Sequence, residues 1–174
     1  MTIAYVGLGG NVGEPADIAA RLRAAAAAMG RWEEVASVAV SGMFATAPVG
    51  PVAQQAEFIN AAARLDVRAR VGAWALLRKL LRLEGELGRT RDGPEKGPRT
   101  VDLDLLLFGD RVVADGPRCV VPHPALVDRA FALEPLRELA GGDLRIPGTD
   151  VTIDDALARP AVSAQPLRAV VFSM

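Results

Sequence analysis

Two aspartates one residue apart, Asp102 and Asp104, stand in the segment Arg99-Thr100-Val101-Asp102-Leu103-Asp104-Leu105-Leu106-Leu107. Side chains alternate faces along a β-strand. The two carboxylates therefore share one face, and Leu103, Leu105 and Leu107 take the other, toward the core. Neighbouring carboxylates repel, which raises a pKa. A divalent cation relieves that repulsion, and carboxylate oxygens completed by substrate phosphates and water are the usual shell of magnesium. A same-face pair can also bridge two ions about 3.5–4 Å apart. A bare Asp-x-Asp is otherwise a solvated strand face. The residues just before the strand change the balance. Segment 89–98 is rich in glycine, proline and charge and reads as a loop. Arg89, Arg91 and Arg99 offer forked donors to polyphosphate oxygens, which lysine does not. Metal-type carboxylates beside arginines form a phosphoryl-transfer grouping.

Three further clusters carry weaker signals. Thr46-Ala47-Pro48-Val49-Gly50-Pro51 is a stiff loop that leads to Phe58-Ile59-Asn60. Asn60 presents a donor and an acceptor, the complement of a heterocyclic amide edge. Phe58 has a face for a flat ring; both residues also suit an ordinary sheet interior. Pro122-His123-Pro124 is followed by Arg129-Ala130-Phe131, which puts a cation at a helix start, an unfavourable place unless an anion is bound. The third cluster is Gly7-Leu8-Gly9-Gly10-Asn11-Val12-Gly13. A dinucleotide fingerprint there needs glycine at position 12, where Val12 stands, and no phosphate-loop motif occurs in the chain. The cluster reads as a tight strand-to-helix turn.

The elements that must position these groups follow from periodicity. Residues 2–8 read as a strand broken by the glycines, and Pro15 opens a helix that runs to about Met29, with Gly30 as its stop. Strands are expected at 34–44, 58–67 and 100–108. Residues 70–87 give the clearest amphipathic helix: Leu76, Leu80, Leu83 and Leu87 form a stripe, widened by Trp74, Leu77 and Leu81. A short strand pair near 112–113 and 119–121 precedes a helix at 129–139. Residues 167–172 suit either a late strand or a loose segment. The order β-α-β-β-α-β predicts a ferredoxin-like α+β sandwich, a mainly antiparallel sheet with both helices on one face, plus a C-terminal helical extension.

Composition narrows the class. A length of 174 residues, 51% of them apolar, suits a single domain over 1–174. Apolar stretches are too short to cross a membrane. The N-terminus lacks a signal-peptide pattern, so a cytoplasmic protein is expected. Cys119 and His123 are the only residues of their kinds, which excludes internal disulfides and His-pair metal sites. A net charge of −1 gives no argument for nucleic acid. Small-molecule partners and a monomer are expected.

Taken together, the motifs resemble the 6-hydroxymethyl-7,8-dihydropterin pyrophosphokinase family. The matching pieces are Ala4-Tyr5-Val6-Gly7-Leu8-Gly9-Gly10-Asn11, the loop at 46–51, Phe58-Ile59-Asn60-Ala61-Ala62, Gly88-Arg89-Thr90-Arg91, Gly97-Pro98-Arg99-Thr100-Val101-Asp102-Leu103-Asp104, and Val121-Pro122-His123-Pro124 continuing to Arg129-Ala130-Phe131. They fall in the family's order over about residues 3–140; the tail 161–174 has no assigned role. The resemblance implies transfer of the β,γ-pyrophosphoryl unit of ATP to the pterin hydroxymethyl oxygen, releasing AMP, in folate synthesis. It implies that Asp102 and Asp104 bind two magnesium ions and that Arg89, Arg99 and Asp104 are catalytic. Thr46, Pro48, Val49, Phe58, Asn60 and Phe131 would hold the pterin, with Phe58 and Phe131 sandwiching its ring. Glu84, Arg89, Arg91, Arg99, His123 and Arg129 would hold ATP. Three positions depart from the family pattern: Lys96 stands where many members carry Trp, Leu81 where a polar Gln is usual, and Gly10 where Ser is common. The rivals are a dinucleotide-dependent oxidoreductase and a non-catalytic ferredoxin-like binding module.

Overall fold

The computed structural model describes residues 1–48, 55–90 and 97–172. Val49, Arg91 and Lys96, singled out above, lie outside those residues. Strand β1 (Thr2–Gly10) leads to helix α1 (Pro15–Gly30), then strands β2 (Val35–Val40), β3 (Met43–Thr46) and β4 (Phe58–Val67). Helix α2 (Ala73–Glu86) precedes β5 (Asp102–Phe108) and a small ribbon, β6 (Val113–Asp115) with β7 (Cys119–Val121). The helical extension is α3 (Ala130–Ala140), α4 (Ile153–Leu157) and α5 (Pro160–Ser163), and β8 (Leu167–Val170) ends the series. The main sheet runs β5-β1-β4-β3-β8, with β2 also paired to β4 and every pairing antiparallel. Counting β2 and β3 as two halves of one strand, the expected ferredoxin-like order holds.

The sheet separates two apolar layers. Ile18, Leu22 and Met29 of α1 and Leu76, Leu80 and Leu83 of α2 pack on Val6, Leu8, Leu103 and Leu105. On the opposite face Leu133 and Leu136 of α3, with Leu126, Ile146 and Ile153, pack on Tyr5, Leu106 and Leu107. Both early helices thus share one face, as their order predicted, and the extension covers the other. Among the described residues no helix is long and apolar enough to cross a membrane.

Four expectations change. The glycines do not break β1: it continues through Gly10, because Gly9 pairs with Asn60 on one side and Asp102 on the other. The single strand expected at 34–44 divides at Ser41-Gly42. There the Ser41 hydroxyl accepts the Ala62 N–H at 2.9 Å, replacing a backbone partner in the ladder. Leu107 does not follow Leu103 and Leu105. A register shift opposite Tyr5 and Val6 leaves Leu106 without a paired partner and turns Leu107 to the α3 face. Trp74 and Leu81 do not widen the buried stripe of α2; each is about 40% exposed. The tail resolves in favour of a strand, with Leu167 opposite Thr46 and Val170 opposite Met43.

Candidate active site

The α3 face of the central strands is built around missing side chains. Gly7 and Gly9 alternate along β1, opposite Asp104 and Asp102 of β5 and Ala62 and Asn60 of β4. Glycine at these positions leaves a trough between the carboxylates and the Asn60 amide. At Gly9 a Cβ would come within 2.9 Å of Asn60 Oδ1. At Gly10 it would come within 2.8 Å of the Thr100 carbonyl. The departure at Gly10 is therefore structural: the chain passes too close to Thr100 for a side chain there.

A cavity of about 150 Å³ opens over this trough, lined among others by Thr46, Phe58, Asn60, Arg99, Arg129 and Phe131, with Asp102 and Asp104 in its wall. It adjoins a smaller hollow of about 30 Å³ that also reaches His123. Asn60 is 5% exposed and donates Nδ2 to Thr46 Oγ1 at 2.8 Å. With that hydrogen bond made, the Asn60 amide keeps both donor and acceptor capacity for a ligand edge. The guanidinium carbon of Arg129 lies 5.6 Å from the centre of the Phe131 ring.

The charged groups form a chain. Asp102 accepts from Arg89 through Oδ1 and from Arg99 through Oδ2. Arg89 also donates to Glu84, whose carboxylate receives the Leu103 N–H at 2.8 Å. Among the described residues Asp104 has no arginine this close; His123 Nε2 lies 3.9 Å from its Oδ2. Burial, and then the charge of Asp102, push the Asp104 carboxyl above its ordinary value, against the opposing pull of His123, Arg129 and Arg99. Burial holds His123 below its ordinary value. Its Nδ1 accepts the Ala125 N–H at 3.2 Å, so the proton of the neutral ring belongs on Nε2, facing Asp104.

Of the residues singled out by sequence, Thr46, Phe58, Asn60, Arg99, Asp102, Asp104, His123, Arg129 and Phe131 meet around these hollows. Arg89 stands behind Asp102 as its partner. Glu84, expected to contact ATP, is only 2% exposed and lies beneath β5, where it holds Arg89 and the strand backbone. Pro48 lines a neighbouring hollow on the far side of Phe131. Sequence reasoning missed Asn11. Its N–H donates to the Arg99 carbonyl at 2.9 Å, and its Oδ1 accepts the Arg99 N–H at 2.8 Å. Its Nδ2 donates to Gln55 Oε1 and the Ala56 carbonyl, both at 3.2 Å. One buried amide thus ties the Arg99 backbone to the segment leading into β4. It closed the first family-like motif piece, but its place after two glycines read as part of a turn and gave it no role.

Asp102 and Asp104 present carboxylate oxygens on one face of one strand, at the edge of a hollow. Among the described residues no group of three or more His, Cys, Asp or Glu side chains offers a metal site built of protein ligands alone. Two carboxylates with room left for phosphate and water is the arrangement that suits magnesium.

The family model described as 7,8-dihydro-6-hydroxymethylpterin-pyrophosphokinase matches residues 5–141. A 2-amino-4-hydroxy-6-hydroxymethyldihydropteridine pyrophosphokinase of Pseudomonas aeruginosa is 45% identical over 143 residues, covering 82% of this chain and 83% of that one. Its namesake from Bacillus subtilis is 39% identical over 137 residues, covering 79% and 77%. Among solved structures, a Plasmodium falciparum HPPK-DHPS triple mutant superimposes with a TM-score of 0.64 at 11% identity. The match covers 89% of this chain and 41% of that longer one, and it speaks for the fold alone. With the family model spanning residues 5–141 and a relative 45% identical over 82% of its length, the chain belongs to the 7,8-dihydro-6-hydroxymethylpterin-pyrophosphokinase family.

Proposed function

We propose that the trough over Gly7 and Gly9 is where this pyrophosphokinase brings its two substrates together. As a member of its family the chain transfers pyrophosphate from ATP to the hydroxymethyl group of 6-hydroxymethyl-7,8-dihydropterin in folate biosynthesis, giving the pterin diphosphate and AMP. The observation that carries the assignment of residues is the meeting of Asn60, Phe58 and Phe131 with Asp102, Asp104 and Arg99 around one cavity. In this reading the pterin ring lies between Phe58 and Phe131, with its amide edge on Asn60. Its hydroxymethyl group then points toward the carboxylates. ATP lies along Arg99, His123 and Arg129, with Arg91 as a further candidate, and Thr46 and Val49 offer backbone groups to the pterin.

Asp102 and Asp104 would hold two magnesium ions, which when bound supply charge neutralisation to the phosphates and lower the pKa of the acceptor alcohol. Asp102 is paired to Arg89 and Arg99. With a cation held at Asp102, Arg89 and Arg99 would be released from that carboxylate and would be free to turn toward phosphate oxygens. The residues then work by positioning and by drawing charge from the transferred group. No separate base is required, although Asp104 is the group placed for one. We take the chain to act as a single-domain monomer in the cytoplasm.

Incubation with ATP, magnesium and the pterin alcohol is expected to give AMP and pterin diphosphate in equal amounts, abolished by EDTA. Formation of ADP would instead mean transfer of a single phosphate. The trough makes a second prediction. Gly9→Ala puts a methyl group against Asn60 Oδ1, 2.9 Å from its ideal position. The amide must turn off Thr46, and the KM for the pterin is expected to rise roughly tenfold, the equivalent of one to two hydrogen bonds. Steady-state kinetics with the pterin varied would check this, and an unchanged KM would remove Asn60 from the pterin site.

A further inference from the structure

The tail beyond residue 160 contains an anchor for the active site. Gln165 follows α5, and its side chain grips the chain on both sides of Arg129. Its Oε1 accepts the Ala130 N–H at 2.9 Å, and its Nε2 donates to the Asp128 carbonyl at 2.8 Å and to the Ala161 carbonyl at 3.2 Å. Ala130 opens α3, where backbone N–H groups have no partner within the helix. Arg129 occupies the cap position in extended conformation (φ −125°, ψ 100°) and provides no side-chain cap. Gln165 supplies the missing acceptor from a distant part of the chain.

We propose that Gln165 is a positioning residue that sets Arg129 and Phe131 for substrate. Both project from the segment it clamps, and both line the cavity. The opposite wall is tied to the same tail. Leu167, two residues further on, pairs with Thr46, which holds the Asn60 amide. A hollow of about 110 Å³ separates these attachments, lined in part by Pro48, Phe131, Gln165 and Leu167. The tail therefore fixes the spacing between the Thr46 wall and the Phe131 wall. The body of α3 does not depend on it, since Leu133 and Leu136 are fully buried in the core. Losing Gln165 should loosen the first turn of α3 and leave the helix in place.

The inference rests on Arg129 and Phe131 being substrate contacts, and the test separates the two claims. KM and kcat for ATP and for the pterin would be measured for Gln165→Met, which keeps the side-chain length without its hydrogen bonds, and for Gln165→Ala. Arg168→Ala, which removes an exposed ion pair to Glu57 on the same tail, is the control. Phe131→Ala reports on the site itself. Expected for both Gln165 variants is a rise of about three- to tenfold in the KM for the pterin or ATP, with kcat changed less and the melting temperature close to that of the parent. A purely structural role would lower kcat through loss of folded molecules and leave KM alone. The inference is overturned if KM stays within about twofold of the parent while Phe131→Ala raises it. An equal rise in Arg168→Ala, or failure of even Gln165→Met to fold, would also overturn it. If Phe131→Ala leaves the pterin KM unchanged, the site assignment itself fails.

Discussion

Asp104→Asn should lower turnover by on the order of 10²–10³-fold or more, while the magnesium-free protein melts at or slightly above the parent temperature. Both effects follow from the carboxylate's surroundings. Asp104 faces the cavity beside Asp102, and burial with that neighbouring charge holds its carboxyl above the ordinary value. A group raised in the folded state favours folding most when protonated, and that contribution is lost as pH rises through its folded pKa. At neutral pH the ionised group is thus a cost in the metal-free protein, which the neutral amide removes. The gain is small, because the side chain keeps 37% of its exposure. Asp102→Asn should lose comparable activity with the opposite effect on melting. Arg99 and Arg89 then lose a shared carboxylate, although Arg89 keeps Glu84. AMP formation and thermal unfolding without magnesium check both variants. Parental turnover in Asp104→Asn would rule out a magnesium-ligand role for that carboxylate.

Arg99→Ala should lower kcat/KM for ATP by about 10³-fold, the scale on which an arginine stabilises a transferred phosphoryl group. The loss is confined to the guanidinium, because the Arg99 backbone is held at N–H and carbonyl by Asn11 whatever the side chain. Arg99→Lys should recover little, since an ammonium cannot make the parallel pair of bonds that a guanidinium offers to phosphate. Kinetics with ATP varied at saturating pterin distinguish the cases. If lysine restores full activity, charge alone matters at this position and the forked geometry does not.

Much of this molecule was legible in its residues. Strand β4 was read at its observed bounds because Phe58 to Val67 is flanked by a proline-rich loop and a charged turn. Asp102 and Asp104 share a face because alternation is a local property of any strand. The motif spacing also carried the family, since chemistry constrains residue types where packing only constrains volume. What stayed hidden depended on neighbours distant in the chain. Gly7 and Gly9 look like a turn until Asn60 and Asp102 pair on either side and make them the floor of a pocket. Leu107 faces α3 because of a register shift, which no periodicity records. Nothing beside Glu84 in the sequence tells that β5 closes over it with the Leu103 N–H.

By itself, then, the sequence determined the order of the elements, the shared face of the two aspartates and the family to which they point. These follow from local geometry and residue chemistry. Only the tertiary structure decided that Asn11 fastens Arg99 and that Gln165 brackets Arg129. A side-chain amide bonds whatever backbone group the fold brings within about 3 Å, and nothing in its own neighbours along the chain says which that will be.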